Sequence, residues 1–597
     1  MKKIFSFLFF CIPVFIFSQT LYSPQILYDS PGGLFDEDSL REIHLDFYDS
    51  DYHTVLVDSW FYNPSHRIPA KLTLNGVVHD SVGVRYKGNS TFCLPNDNNS
   101  PKVPYNIDMN YFIGGQKLLD YKKIKLANAW MDPTFVKQIV SSNIYRRYLP
   151  AGESNLVKLY SQGSYVGLYV NDESINKQFL EKHFDEKSGP LFKCDNIDRF
   201  CDTANAPSAM PPNLYYMGDD TTLYYNSYDM KSDHGWTELV NLIKTIAVDF
   251  ENIDSVLNVD RTLWAFAVNQ VVGNLDCYNT YYVHNYYLYQ TKDGLFQMIP
   301  WDLDNSFVGA ILGSFWWYPP AASEYDPYSV GEDHNNNGFL DIWEERPLVQ
   351  KLLSDPLYRE IYNAHLRTII YESLDTLMIR TNVNQLQNLA STAASQDYNK
   401  VFSMTEYYDN VDSDVWTNWG FAGIINTVAQ RKSYLLSLPE ISQNPPLLNS
   451  VNIANDYVTV SVSNANSVEL LATISEYNSK FKSFTMYDDG TNGDLLANDG
   501  VYTAPLPYSS LMNETIKFYF RARNDDALAL LPERAEYEFF EFALPTAMTD
   551  LNSDKGRKLI NIVDLLGRKV LNAKDYINQP LFYIYDDGTV ERRIMIK

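Results

Sequence analysis

Apolar and polar positions between residues 40 and 84 change their period. LREIHLDFY reads as a helix, and RIPAKLTLNGVVHDSVGVRYKG then alternates with period two on either side of Asn75-Gly76, a hairpin-turn pair. The same alternation predicts strands at VPYNIDM, KIKLANA, NLVKLYSQG and SYVGLYVND. One helix interrupts them, DPTFVKQIVSSNIYRRYL, with Asp132 and Pro133 as its start signal. The first part of the chain therefore reads as a sheet crossed by one helix. From Trp236 to about Asn274 the spacing becomes helical, in WTELVNLIKTIAVDF and DRTLWAFAVNQVVGNL. The chain then enters paired strands, YYVHNYYLY and GLFQMIPWDLD, around a Lys292-Asp293-Gly294 turn. More helices are predicted from Pro347 to about Leu438, and PEISQNPP is a proline-marked linker. Beyond it, period-two segments up to about Phe542 fit a small β-sandwich. The last fifty residues form a separate alternating block with Gly567 and Gly588 at turns.

Composition narrows what such a chain can do. With 597 residues, three or four folding units are expected. The 74 acidic against 48 basic side chains give a net charge of -26, which repels phosphate backbones and argues against nucleic-acid binding. The same acidity suits divalent cations, although on composition alone a solubilising surface is the plainer account of it. MKKIFSFLFFCIPVFIFS has the two lysines and short apolar core of a secretory signal peptide, and no later window is apolar enough to span a membrane. Once the signal is removed, Cys93, Cys194, Cys201 and Cys277 remain, an even number for an oxidising compartment, and a loop closed by Cys194 and Cys201 is one pairing they allow. No CxxC or HExxH occurs, so spacing identifies no zinc site.

Asp276, Asn285 and Asp302 are the first residues that could carry chemistry. Phosphoryl transfer needs a carboxylate to orient or deprotonate the attacking hydroxyl and oxygen ligands to hold magnesium on the phosphates. An Asp, an Asn and a second Asp brought together from strand ends would suffice; turn-forming residues at those ends are the plain alternative. His284 reads as a core or ladder histidine.

NLDCYNTYYVHNYYLY followed by GLFQMIPWDLDNSF resembles the C-lobe signature of the CotH family, secreted spore-coat-type kinases with an atypical protein-kinase-like fold. VGVRYKGNST resembles its glycine-containing N-lobe loop, the segment from DPTFVKQIV to YVNDESI its helix, paired strands and hinge, and GPLFKCDN the strand that follows, so the resemblance runs over roughly residues 35 to 430. It implies Asp276 as catalytic carboxylate, Asp302 and Asn285 as metal ligands, and Asp304 as a further candidate. It also implies that Arg85, Lys87 and the turn Gly88-Asn89-Ser90 face phosphate, and that Glu173 lies near the nucleotide pocket; a surface residue at a helix start is the alternative for Glu173. Asn106 stands where the family carries a base, and Lys102 or Lys125 is left to supply that charge.

DHNNNGFLDIWE places Asp333, Asn335, Asn337, Asp341 and Glu344 at the side-chain oxygen positions of an EF-hand-type calcium loop, with Gly338 at its turn and the Phe339 carbonyl as a further ligand. A structural Ca²⁺ clip is expected there. Asp488, Asp489, Asp494 and Asp499 in YDDGTNGDLLANDGVY could also bind calcium, but Asp-Gly hairpin turns explain them at least as well. INIVDLLGRKV and the terminal RRIMIK strand resemble the C-terminal sorting domain of type IX secretion cargo.

The expected architecture is α+β: a signal peptide (1–18), a two-lobe atypical protein-kinase-like domain (19–438), an immunoglobulin-like β-sandwich (447–543) and a small C-terminal β-sandwich for sorting (546–597). The expected function is transfer of the ATP γ-phosphoryl group, with Mg²⁺, to a hydroxyl of a protein or small acceptor, by a protein exported through the periplasm and outer membrane by type IX machinery. The alternative is a catalytically inactive kinase-fold protein of the cell surface that serves in binding or adhesion.

Overall fold

The computed structural model describes residues 19–28, 31–195, 201, 210–309, 322–333, 337–417, 419–511, 514–544, 558–565, 567–570, 576, 579–586 and 589–594. The signal-peptide segment, Asn335 and Gly588 lie outside the described residues. The chain mixes helix and strand and divides into two units, one running to Tyr508 with Ile516–Phe542 added, the other comprising Ser509–Thr515 and Ala543–Lys597.

The first unit opens with strand β1 (Thr20–Tyr22) and then builds a closed barrel of seven strands: β2 (Arg41–Phe47), β3 (Ile68–Leu74), β4 (Val77–Tyr86), β5 (Tyr105–Asp108), β6 (Lys123–Ala127), β7 (Ser154–Ser161) and β8 (Ser164–Asp172), in the order β2-β3-β4-β5-β6-β8-β7. The segment expected as a helix at LREIHLDFY is strand β2. Its leucines and aromatics fit both periods, but Ile43, Leu45 and Phe47 fall on one face of a strand and fill the barrel, where Ile43 pairs with Leu74. The helix comes later, as α1 (Tyr52–Tyr62), which buries Leu56 and Trp60. Asn75 and Gly76, at φ 51° and 77°, form the two-residue turn between Leu74 and Val77, as their pairing predicts.

Helix α2 (Ser90–Asp97) follows the glycine-containing loop, and the buried α3 (Lys137–Tyr145) packs on the barrel strand β7 and joins the core of the helix-rich region. Asp132 sets the start of α3 from five residues upstream, its carboxylate accepting the N–H groups of Thr134 and Lys137, each at 2.8 Å. After α4 (Lys177–Phe184), a second sheet runs β10-β9-β11-β12, with β9 (Leu191–Cys194), β10 (Asp229–Met230), β11 (Tyr286–Gln290) and β12 (Phe296–Pro300). It packs with α5 (Trp236–Val248), α6 (Val259–Val271), α7 (Pro347–Ser354), α8 (Pro356–Ser373), α9 (Thr376–Gln396), α10 (Met404–Asp409) and α11 (Ile424–Ser437) in one extended apolar core. A short hairpin, β13 (Val415–Trp416) with β14 (Gly420–Phe421), precedes α11.

The Cys194–Cys201 pairing is overturned: Cys93 on α2 bridges to Cys201, and Cys194 and Cys277 are free and buried. β9 directs Cys194 into the core, whereas the Cα atoms of Cys93 and Cys201 are 5.6 Å apart, within disulfide reach.

Beyond the linker, β15 (Leu447–Ala454), β16 (Tyr457–Ser463) and β19 (Val501–Pro505) form one sheet. The other contains β17 (Ser467–Thr473), β18 (Lys482–Met486), β20 (Thr515–Arg523), β21 (Leu528–Leu531) and β22 (Phe539–Ala543), and β1 completes it by pairing with β22. Thr20–Tyr22, expected in the first domain, thus belongs to this sheet. The sheet is joined to the helices through Trp264 Nε1, which donates to the Ala535 carbonyl (3.1 Å), and Arg367, which donates to the Leu528 carbonyl (2.7 Å).

The second unit holds an antiparallel three-stranded sheet, β23 (Leu559–Val563), β24 (Pro580–Tyr585) and β25 (Val590–Ile594), with Gly567 at φ 73° in the turn after β23. Among the described residues no helix is long and apolar enough to cross a membrane.

Candidate functional site

The loop from Asp276 to Asn285 joins α6 to β11 and contains residues predicted as strand, Tyr281–His284. It is held by buried amides instead of a ladder. Asn274 Oδ1 accepts the Asp276 N–H (3.1 Å) and Asn274 Nδ2 donates to Tyr145 Oη (3.2 Å), which donates to Asn269 Oδ1 (2.6 Å). Asn269 Nδ2 donates to Asn279 Oδ1 (2.8 Å), and Asn279 Nδ2 reaches the Phe266 carbonyl (3.1 Å). A buried amide network satisfied in this way leaves the loop one geometry.

At its start, Asp276 presents a carboxylate fixed at both oxygens. His284 Nε2 lies 2.9 Å from Oδ1, and since a carboxylate only accepts, Nε2 carries the proton. Asn285 Nδ2 (3.1 Å) and Asn305 Nδ2 (2.9 Å) both donate to Oδ2. His284, expected as a core histidine, is therefore a partner of the catalytic candidate. Burial opposes its charge, but Asp276, Asp195 and Asp302 outweigh that and push its pKa up to about 9.

Asp302 follows β12 with φ 58°, as Asn285 precedes β11 with φ 57°, and the Trp301 N–H donates to the Asn285 carbonyl (3.1 Å), so the two strand ends bring these residues to one place. Leu303 N–H donates to Gln138 Oε1 of α3 (2.7 Å). Burial raises the Asp302 pKa; Lys87 and Lys193 oppose the rise while Asp195 and Asp276 add to it. Burial also pushes Asp172 up to about 6, against Lys87 and a hydrogen bond from Ser154 Oγ (3.0 Å). Lys87, Asp172, Glu173, Gln138, Trp301 and Asp302 line a small, partly open cleft.

Carboxylates crowded in a poorly solvated cleft hinder one another's ionisation, and a hard cation relieves that repulsion. Oxygen donors from Asp302, Asp276 and the Asn285 amide suit Mg²⁺. Among the described residues, only Asp488, Asp494 and Asp499 bring three carboxylate, imidazole or thiol ligand atoms within 4.8 Å of one another. A cation in the cleft would thus rest on one or two protein carboxylates and complete its shell with phosphate and water, as Mg²⁺ commonly does.

The other expected residues divide. Lys87 lines the cleft, and Lys125 brings its ammonium 5.2 Å from the Trp301 ring centroid, beside Lys193 at 4.0 Å. Burial, with Lys87 and Lys193 adding, pushes Lys125 down to about 7 against Asp172 and Asp302. Gly88 needs its positive φ of 88°, and a Cβ there would lie 2.5 Å from Thr91 Oγ1; its carbonyl accepts from Trp60 Nε1 (3.1 Å). Asn89 takes the N-cap position of α2 and Ser90 begins it, and neither is among the residues lining the cleft. Arg85 donates to the Tyr86 carbonyl (2.9 Å) and is not among the residues lining the cleft. Lys102 is a correction: it forms a buried ion pair with Asp397, its ammonium 4.4 Å from the Phe135 ring centroid, and is spent on packing. Asn106 accepts from Arg67 Nη2 (2.7 Å), which occupies it. Glu173 is buried in the cleft wall, accepting the Glu153 N–H (3.1 Å) and facing Lys182 (3.4 Å), while α4 begins later at the Asn176 cap. Burial and the neighbouring Asp302, Asp276, Asp172 and Asp132 hold Asp304 well above the usual carboxyl range.

Sequence reasoning passed over Asp172, Lys193, Gln138 and Asn305. Asn305 stands beside Asp304 in WDLDN and Asp172 beside Glu173, so nearness to named residues was the available signal. In the proposed calcium loop, Asp333 accepts the N–H groups of Asn337 (3.0 Å) and Gly338 (2.6 Å), Asn337 Oδ1 accepts the Phe339 N–H (2.8 Å), and the buried Glu344 accepts the Asp341 N–H (2.9 Å). Gly338 has φ 84°. At the other acidic loop, Asp488 accepts the N–H groups of Asp499 (3.0 Å) and Gly500 (3.1 Å), a turn closed by its own backbone.

Compared with known families, residues 84–434 match the model described as CotH kinase protein, more than half of the 597-residue chain. No curated protein matches the chain.

Proposed function

The chain belongs to the CotH kinase protein family, and on that premise we propose that it transfers the γ-phosphoryl group of ATP to a hydroxyl acceptor, a protein side chain or a small molecule. The observation that carries this is the Asp276 carboxylate, held at both oxygens by His284, Asn285 and Asn305 at 2.9–3.1 Å beside a lysine-bearing cleft. In this reading the barrel and the helix-rich region are the two lobes of a kinase-like domain, and the two sheets after residue 446 an immunoglobulin-like sandwich.

Asp276 orients the acceptor hydroxyl and takes its proton as the new O–P bond forms and the bond from the γ-phosphorus to the β–γ bridging oxygen breaks, with ADP leaving, and its three donors hold the carboxylate in place. Lys87 and Lys125 stabilise the charge of the phosphates from the barrel side. Asp302 and the Asn285 amide oxygen would hold Mg²⁺, which supplies neutralisation of the phosphate charge. Lys125 pairs with Asn106 in the β5–β6 register and reaches Trp301, so the cation absent at Asn106 is furnished from the neighbouring strand. That favours a working phosphotransferase over an inactive binding protein.

Export through the periplasm and outer membrane is part of the same proposal. A Cys93–Cys201 disulfide suits an oxidising compartment, and the separate three-stranded C-terminal unit suits a sorting domain for type IX machinery. Ca²⁺ at 333–344 is proposed as a structural clip.

Incubation with labelled ATP beside Asp302→Ala tests the reaction. Label on the wild type and its acceptors, and none with the variant, is expected. Equal labelling of both would remove Asp302 from the mechanism, and stabilisation by Mg²⁺-ATP without turnover would leave a nucleotide-binding protein.

A further inference from the structure

Arg346 lies at the start of α7 with 2% of its surface exposed. Its guanidinium bonds to backbone carbonyls on two separate segments. Nη1 donates to Glu344 (2.5 Å) and Glu345 (3.2 Å), and Nη2 donates to Thr280 and Tyr281, each at 3.1 Å. Thr280 and Tyr281 are the middle of the loop whose ends carry Asp276 and Asn285, and both are buried. The segment that supplies Arg346 is anchored in turn: Arg346 N–H donates to the Val330 carbonyl (3.0 Å), Gly331 bridges Glu345, and Asn213 Nδ2 donates to the carbonyls of Ile342 (2.8 Å) and Glu345 (3.1 Å).

Asn269 of α6, with Asn274 and Asn279 of the loop itself, braces this loop on one side, and Arg346 joins its middle carbonyls to those of Glu344 and Glu345 on the other. A planar guanidinium suits this, because its fixed fork serves several acceptors at once where an ammonium cannot. We propose that Arg346 is a positioning residue for phosphoryl transfer: it fixes the Asp276–Asn285 loop to the 330–346 segment and so sets the placement of the Asp276 carboxylate. This rests on the kinase reading of the site. Misplacement of a reacting group by about 1 Å can cost about 10²-fold in rate without loss of substrate binding.

Arg346→Lys keeps the charge and bulk while losing the fork, and Arg346→Ala leaves room for added guanidinium. Each is compared with the wild type by turnover, by Mg²⁺-ATP affinity from thermal shift and by hydrogen exchange. Tyr282 N–H, which donates to the Leu275 carbonyl (3.1 Å), reports on loop order without any need for catalysis. Arg346→Lys is expected to lower kcat about tenfold or more with ATP affinity within about twofold, to speed exchange at residues 280–282, and guanidinium is expected to recover part of the rate of Arg346→Ala. Unchanged exchange at 280–282 in Arg346→Lys overturns the proposal, as does a loss of ATP affinity parallel to the loss of rate. A wild type without turnover on any nucleotide refutes the kinase reading instead, and the exchange comparison then decides by itself whether Arg346 holds the loop.

Discussion

His284 bears on chemistry through one contact, its Nε2 donating to Asp276 Oδ1. A glutamine can place an amide donor near the same point, whereas alanine cannot. His284→Ala is therefore expected to lower kcat about tenfold or more and His284→Gln to restore most of it, with KM for ATP little changed in both, as steady-state kinetics will show. A second residue, Glu536, makes stability depend on pH. Burial beside Asp260 pushes its carboxyl up to about 8, so it is raised above its unfolded value. The stability it contributes is complete below the ordinary glutamate pKa of about 4.3 and is lost as pH rises through 8. Denaturant midpoints of the wild type should accordingly fall between pH 5 and pH 8 relative to Glu536→Gln, in which that dependence is removed. Neither role was legible in the sequence. A histidine amid tyrosines reads as core, and nothing local marks which acid will be buried beside another.

Elements show where local pattern sufficed. The barrel strands other than β2 followed from alternation, and α5 and α6 from a 3.6 period, because one face of each meets the core. The segment at 40–48 failed because its apolar residues satisfy both spacings, and the neighbouring strand Ile68–Leu74 decided between them. How elements are fastened together could not be read at all. Lys102 of the barrel meets Asp397 at the end of α9, whose carboxylate also accepts the Leu168 N–H (3.0 Å), and a Cβ on Gly167 would stand 2.5 Å from Asp397 Oδ2. Lys102→Ala strands a buried carboxylate, and urea denaturation should show a loss of about 3–5 kcal/mol. The Cys93–Cys201 bridge closes a separation of 108 residues, so Cys201→Ser should cost about 2–5 kcal/mol by the same measurement, and thiol reductant should reproduce the loss in the wild type alone.

For the whole molecule, the acidic balance of -26 argues against nucleic acid. Calcium chelation is expected to lower the thermal midpoint and added Ca²⁺ to restore it, an effect that Glu344→Gln should abolish in calorimetry. By itself the sequence determined most of the strands and helices, the Asn75-Gly76 turn and most of the acids from which the site is drawn, because these depend on side-chain period and on neighbours within a few residues. Tertiary structure alone decided that Cys93 takes Cys201, that Lys102 belongs to Asp397 while Lys125 stands over Trp301, and that Asp276 is gripped by His284 and Asn305. Those choices are contacts between distant stretches of chain, selected by burial and by the geometry of packed elements, and no local period carries them.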